Sequence, residues 1–162
     1  MKEIDFISFT LDQLAEGGRF ACIVPMSVAI KTDKNKSLLE KKRKILSKHR
    51  LDAVFSMPND LFYPVSTNTC IMVFTAYTKH REDYETFFGY LKDDGFKVTR
   101  KGRIDQGRWT DIKKEFIRLF VNGKMLPGKS VCKAVTADEE WCAEAYMETD
   151  FSDIKEVISL RQ

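Results

Sequence analysis

The sequence predicts an α/β fold: the closing half of a layered sheet, in the order helix, strand, helix, strand, strand, followed by a mostly helical C-terminal appendage. Two observations carry this reading. Apolar residues recur at helical spacing in two early segments, Ile4-Ile7-Leu11-Leu14 and Leu38-Leu39-Ile45-Leu46. Three short runs rich in β-branched and aromatic residues alternate with or follow them, the first two closed by Pro25 and Pro58.

Taken in order, the first helix spans about Glu3 to Glu16 and is stopped by Gly17-Gly18. Phe20 to Val24 is an unbroken apolar run, the pattern of a strand buried on both faces as in a parallel sheet. Lys36 to Lys48 forms the second helix, Leu51 to Met57 the second strand, and Thr69 to Tyr77 the third, with the last pair able to run antiparallel. Residues 1–79 are therefore assigned to the sheet and residues 80–162 to an extension. In that extension Glu85 to Leu91 fits one more strand, and Asp93-Asp94-Gly95 is a turn. Lys97 to Arg108, broken by Gly102 and Gly107, reads as a basic loop. Trp109, Ile112, Phe116, Leu119 and Phe120 mark a helix that ends at Asn122-Gly123. Thr136 and Glu139 form a capping-box pattern ahead of a final helix reaching about Met147.

Composition bounds the function. The 162 residues are 43% apolar and 31% charged, which suits a soluble globular chain with one sizeable core. No run approaches the ~18–20 apolar residues needed to span a bilayer, and acidic residues stand where a secretory leader would be basic, so a cytoplasmic location and no membrane partner are expected. Cys22, Cys70, Cys132 and Cys142 form no Cys-x-x-Cys pair, and His49 and His80 are not spaced with them as ligands. Reduced thiols and no metal follow. The net charge is only +3, but residues 31–50 hold nine Lys or Arg against Asp33 and Glu40. This segment is +7 and the rest of the chain −4. Such asymmetry points to a polyanion, and equally fits a solvated helix face.

The succession Gly17-Gly18, Phe20-Ala-Cys-Ile-Val-Pro25, basic helix, Leu51-Asp-Ala-Val-Phe-Ser-Met-Pro58, Asp60-Leu-Phe62 and Thr67-Asn-Thr-Cys-Ile-Met-Val-Phe74 resembles the modification subunits of type I restriction–modification systems, which methylate adenine at N6. Phe88-Gly-Tyr-Leu-Lys-Asp-Asp-Gly-Phe96, Lys101-Gly-Arg-Ile-Asp105 and Glu139-Glu-Trp-Cys-Ala-Glu-Ala-Tyr-Met-Glu-Thr-Asp150 are similar to signatures of that family's C-terminal part. The resemblance implies the closing half of a Rossmann-like methyltransferase sheet. It also implies S-adenosyl-L-methionine as donor for the whole enzyme, held upstream by a Gly-rich loop and an acidic residue, and a catalytic Asn-Pro-Pro-Tyr/Phe motif, also upstream, that orients the target amine. None of these motifs occurs here: Pro25, Pro58, Pro64 and Pro127 are all single. The chain alone is therefore expected to hold no cofactor, no catalytic residue and no activity. The implied partners are double-stranded DNA, the specificity and restriction subunits, and the missing N-terminal half of the methylase.

Within that resemblance Phe62, or Tyr63 if the register shifts by one, is the candidate surface on which a flipped adenine stacks. Ordinary packing of the loop explains the same residues. Ser66, Thr67 and Asn68 are candidates for contacts to the nucleic-acid backbone, and polar residues before a strand are also normal turn chemistry. Lys41, Lys42, Arg43 and Lys44, with Lys101 and Arg103 in the second basic segment, are candidate phosphate contacts. A non-enzymatic nucleic-acid-binding or subunit-interaction module is the alternative function.

Overall fold

The structure, a computed structural model, describes residues 2–30 and 36–148; Lys31 and Lys34 of the basic segment, and the chain beyond Glu148, lie outside the described residues. Helix α1 (Glu3–Asp12) leads into strand β1 (Arg19–Pro25), and helix α2 (Lys36–Lys48) into β2 (Arg50–Ser56) and β3 (Thr69–Thr75). Then come β4 (Glu85–Tyr90), the hairpin strands β5 (Phe96–Thr99) and β6 (Gly102–Asp105), helix α3 (Trp109–Val121) and β7 (Ser130–Ala134). Five strands form one mixed sheet in the order β1-β3-β2-β4-β7, and β5 and β6 pair only with each other. The comparison with solved structures below bears out the α/β class.

Helix α1 carries Glu3 and Asp5 in its first turn, where negative charge suits the helix dipole, and buries Ile4, Ile7 and Leu11. It stops at Asp12, one turn before the predicted end. The reason is tertiary: Gly17 N–H donates to Ala76 O (2.9 Å) and Ala76 N–H to Gly18 O (2.8 Å), so the chain must leave the helix to meet the end of β3. Helix α2 spans the predicted residues and turns Ile45 and Leu46 inward. With Leu51, Val54, Met72, Phe74, Phe88 and Trp141 these form the main core on one face of the sheet. Each fully buried large side chain contributes roughly 1.5–3 kcal/mol. On the other face α3 lays Phe116, Leu119 and Phe120 over Ala53, Phe55, Phe87 and Leu91. The Phe55, Phe87 and Phe120 rings meet at centroid distances of 5.4–5.9 Å. Gly89 makes room for this cluster, since a Cβ there would stand 2.5 Å from the Phe55 ring.

Four expectations need correction. Strand β1 is not a doubly buried strand of a parallel sheet. It is an edge strand, antiparallel to β3, with Phe20, Cys22 and Val24 inward and Arg19, Ala21 and Ile23 outward. Among the described residues, those beyond 80 are not a mostly helical appendage outside the sheet. Strand β4 pairs in parallel with β2 (Ala53↔Phe87 to Ser56↔Tyr90), and β7 pairs with β4, because the apolar faces of both are needed to extend the core. The basic segment Lys97–Arg108 is not a loop but mostly the β5–β6 hairpin, its turn made possible by Gly102 at φ +112°. The capping contact forms, with Thr136 N–H donating to Glu139 Oε2 (2.7 Å), yet the helix behind it does not. Trp141 is fully buried and ties itself to Ala29 O and Thr136 O, which leaves only a 3-10 turn at Ala143–Ala145.

At the edge where β2 begins, two buried histidines act as neutral acceptors. His49 Nδ1 accepts from Tyr77 N–H (3.0 Å) and its Nε2 faces Asp12 (3.3 Å). His80 Nδ1 accepts from Leu51 N–H (3.3 Å), while its Nε2–H donates to Val135 O (2.9 Å). Burial lowers the pKa of both rings. The four cysteines are free, and burial pushes Cys22 up to about 11 and Cys70 to about 12. Among the described residues no cluster of three or more His, Cys, Asp or Glu could hold a metal, and no helix is long and apolar enough to cross a membrane.

Candidate nucleic-acid interface

Strands β2 and β4 run parallel and end side by side, and β3 and β7 start at the same edge. In α/β sheets the crevice outside such carboxyl ends is where ligands sit. The loop from Met57 to Asn68 occupies this edge. It is a run of tight turns: Leu61 N–H to Pro58 O (3.2 Å), Tyr63 N–H to Asp60 O (3.0 Å) and Val65 N–H to Phe62 O (2.9 Å). Leu61 points inward onto the Met57–Leu91–Phe116 cluster. Phe62 and Tyr63 point out, each 45% exposed, and Val65 is 62% exposed. Two adjacent aromatic rings therefore stand in solvent on a loop whose neighbouring residue is anchored. Ser66 and Asn68 are exposed beside them and Thr67 is half-buried. Asn68 O accepts from Met26 N–H (2.9 Å), which joins the loop end to the end of β1. The buried Thr69 Oγ1 has no partner among the described residues.

Below the loop lies a polar network that sequence reasoning missed. Lys92, just past β4, reaches Asn59 Oδ1 (3.0 Å) and Glu144 Oε1 (3.1 Å), while Glu144 Oε2 takes the Ser56 hydroxyl (2.5 Å). Asp94 accepts Arg103 Nη2 with both oxygens (2.8 Å), and Asp60 accepts it at 3.3 Å. The one available signal was Asp93-Asp94-Gly95, legible as a turn but not as the acceptor for a distant arginine.

The basic candidates separate on inspection. Lys42 is no surface cation. It is 2% exposed, donates to Glu139 O (2.8 Å) and Ala29 O (3.5 Å), and stands 4.2 Å from the Trp141 ring centroid. Arg103 is likewise turned inward, its side chain 15% exposed. Both expectations of a phosphate contact are corrected: each cation finds acceptors in the protein that outcompete solvent. Lys41 pairs with Asp5 (2.6 Å) and Arg43 with Asp138 (2.6 Å), at the surface. Lys44 and Lys101 are exposed.

Gly17-Gly18, the one double glycine of the chain, does not fit a methyl donor. Gly17-Gly18 follows the end of α1 instead of opening a helix, and both amides are already engaged, with Ala76 O and Ala15 O (2.9 Å each). A Cβ at Gly17 would meet nothing within 4 Å, so no cradle closes around it.

A family model described as N-6 DNA Methylase matches residues 1–149. The chain belongs to the N-6 DNA methylase family. Among relatives of this N-6 DNA methylase chain is the type II restriction enzyme and methyltransferase RM.BcgI of Heyndrickxia coagulans. It is 31% identical over 153 residues, 93% of this chain and 24% of its own length. The chain thus spans about a quarter of the curated relative it matches. Two solved structures share the fold. The methyltransferase subunit of the type I restriction–modification system from Streptococcus thermophilus has a TM-score of 0.58 at 13% identity, covering 82% of this chain and 26% of its own. A chain from a type I restriction–modification assembly reaches 0.63 at 19% identity, covering 98% and 35%.

Proposed function

We propose that this N-6 DNA methylase chain forms the target-base end of an adenine-specific DNA methyltransferase of a type I restriction–modification system, working in the cytoplasm. In this reading S-adenosyl-L-methionine and the catalytic motif belong to an N-terminal half outside this sequence, and the chain alone is inactive. Double-stranded DNA and the specificity and restriction subunits are the partners of the whole enzyme. The observation that carries the proposal is the exposed pair Phe62–Tyr63 on an anchored loop at the carboxyl edge of the sheet.

An enzyme that acts on a base inside a duplex must extrude it, and the extruded ring needs a flat apolar surface in place of its lost stacking neighbours. Phe62 supplies that surface, with Tyr63 as its neighbour. Ser66, Thr67 and Asn68 lie within the same loop and offer hydroxyl and amide groups to the sugar–phosphate backbone. Lys44 and Lys101 add exposed positive charge, while Lys41 and Arg43 must release Asp5 and Asp138 before they can bind phosphate.

The test uses the full-length methyltransferase with its partner subunits. Stacking is worth ~1–3 kcal/mol per base, so Phe62→Ala slows single-turnover methylation roughly ten- to a hundredfold. Phe62→Trp retains more activity, and donor affinity is unchanged. A mismatch opposite the target adenine partly rescues Phe62→Ala, because extrusion then costs less. If neither Phe62→Ala nor Tyr63→Ala slows the reaction, the loop is structural and the proposal fails.

A further inference from the structure

The aromatic loop is pinned at three consecutive residues from three directions, and the pins come from segments far apart in sequence. Lys92 holds Asn59 (3.0 Å), Arg103 holds Asp60 (3.3 Å), and the cluster of Met57, Leu91 and Phe116 holds Leu61. We infer that the β5–β6 hairpin is a brace for this loop, and that Arg103 is the positioning residue that sets where Phe62 and Tyr63 stand. This rests on the base-stacking reading above and deepens it.

The geometry of Arg103 carries the inference. One guanidinium nitrogen joins two carboxylates on different segments: Asp94 at the root of the hairpin (2.8 Å to each oxygen) and Asp60 in the loop. The guanidinium also lies over the Phe96 ring at 5.1 Å, which fixes its plane. Asp94 is 5% exposed and its Oδ1 accepts Phe96 N–H as well (3.2 Å), so the anchor on the hairpin side is rigid. The Arg103 Nε is buried without a partner among the described residues, a cost that an arginine free to turn toward solvent would not carry.

The position of Asp60 explains how such a link reaches the aromatic rings. Asp60 opens the turn closed by Tyr63 N–H to Asp60 O (3.0 Å), so Phe62 lies inside that turn and Tyr63 ends it. Holding the first side chain of a tight turn restricts the orientation of the whole turn. A two-stranded hairpin has little stability of its own in water. This one is tied down at its root by Arg108 on Asp93 (2.9 and 3.0 Å) and by Gly95, whose φ of +79° and close approach to Trp109 N leave no room for a side chain. The hairpin is thus stiffened from α3 and passes that stiffness to the loop through Arg103. Lys92 does the same from the other side, with Glu144 of the C-terminal segment as its counter-anchor.

Asp60→Ala in the full-length enzyme, with its partner subunits, isolates the brace, because Arg103 keeps both bonds to Asp94. Amide exchange in residues 58–68 should rise two- to fivefold, the range expected for losing one partly exposed ion pair, with exchange elsewhere unchanged. Single-turnover methylation should slow three- to tenfold while donor and duplex affinities hold. Asp60→Asn, which keeps an acceptor oxygen, should recover part of the loss. Arg103→Gln should reproduce the loop exchange, and combining it with Asp60→Ala should add little. Unchanged loop exchange in both single variants overturns the brace. Faster loop exchange with undiminished methylation keeps the brace and sinks the base-stacking reading instead, so the two failures are told apart.

Discussion

Helix α2 and the β5–β6 hairpin look alike as sequence, since both are basic segments with a few apolar residues, but they use their charge differently. In α2 one lysine of five, Lys42, is pulled into the core beneath Trp141, and the flanking cations stay at the surface. In the hairpin Arg103 is spent on cross-linking two loops, and Lys101 at the turn is left to solvent. A run of positive charge is therefore not one feature. The deciding variable is whether a carbonyl or carboxylate from elsewhere in the chain waits at hydrogen-bond distance, and that is decided by the fold.

The largest effect that sharpens this contrast comes from Lys42. Lys42→Ala removes a donor from the Glu139 carbonyl and empties the space beside Trp141, and should cost about 2–4 kcal/mol in urea unfolding. Lys42→Met, which keeps the methylenes, should lose less. A neutral Lys42→Ala would return this residue to the surface class. Next comes Arg103→Ala, expected to cost about 2 kcal/mol by stranding Asp94, against under about 0.5 kcal/mol for Lys101→Ala in the same melts.

Acid should separate the two regions further. His49 directly follows α2 and His80 packs nearby, and burial depresses the pKa of both. The unfolded chain therefore binds protons that the folded chain refuses. Stability should be complete above about pH 6.5 and fall as pH drops below it, by up to about 1.4 kcal/mol per pH unit for each ring. Unfolding midpoints at pH 7.5, 6.5 and 5.5 check this, and a flat profile would contradict the neutral-acceptor roles. The hairpin holds no histidine, and its exchange protection, taken relative to the unstructured chain at the same pH, should not change over the same range. The smallest effects belong to the exposed cations. If the whole enzyme binds DNA as proposed, Lys44→Glu or Lys101→Glu should reduce the salt dependence of binding by about one counterion each, with almost no change in unfolding. A Lys42 variant that stays folded should leave the salt slope untouched.

Much of the fold was legible where local pattern and tertiary role agree. Helix α2, strands β2 and β3, and the α3 stripe of Phe116, Leu119 and Phe120 lie where periodicity puts them. What escaped was pairing between distant segments. Ser130–Ala134 is five residues with one strong strand former, Val131, and gains its partner β4 only across the intervening hairpin and helix. The apolar run of β1 looked doubly buried because sequence shows hydrophobicity but not which side of the sheet remains uncovered. At the C-terminal end a true capping contact promised a helix, and the burial of Trp141 overrode it. For the site, Phe62 and Tyr63 were singled out by the family resemblance, while their exposure was not legible, since packed loop aromatics would read the same in sequence. Asp60, Lys92 and Arg103 were not, because an ion pair spanning 43 residues leaves no local trace.

The pairing of β4 with β7 has one more consequence. Gly89 faces Ser130 across adjacent strands, so everything between them leaves the sheet and returns to it through neighbouring positions, only about 5 Å apart. A chain that exits and re-enters by the same door is a natural place for length variation. Residues near the hairpin tip can be lengthened, trimmed or exchanged without altering the register of any strand in the main sheet. The hairpin tip is thus the place where new contacts can be tried out, while α3 keeps covering its face of the sheet and Arg103 keeps its hold on Asp60.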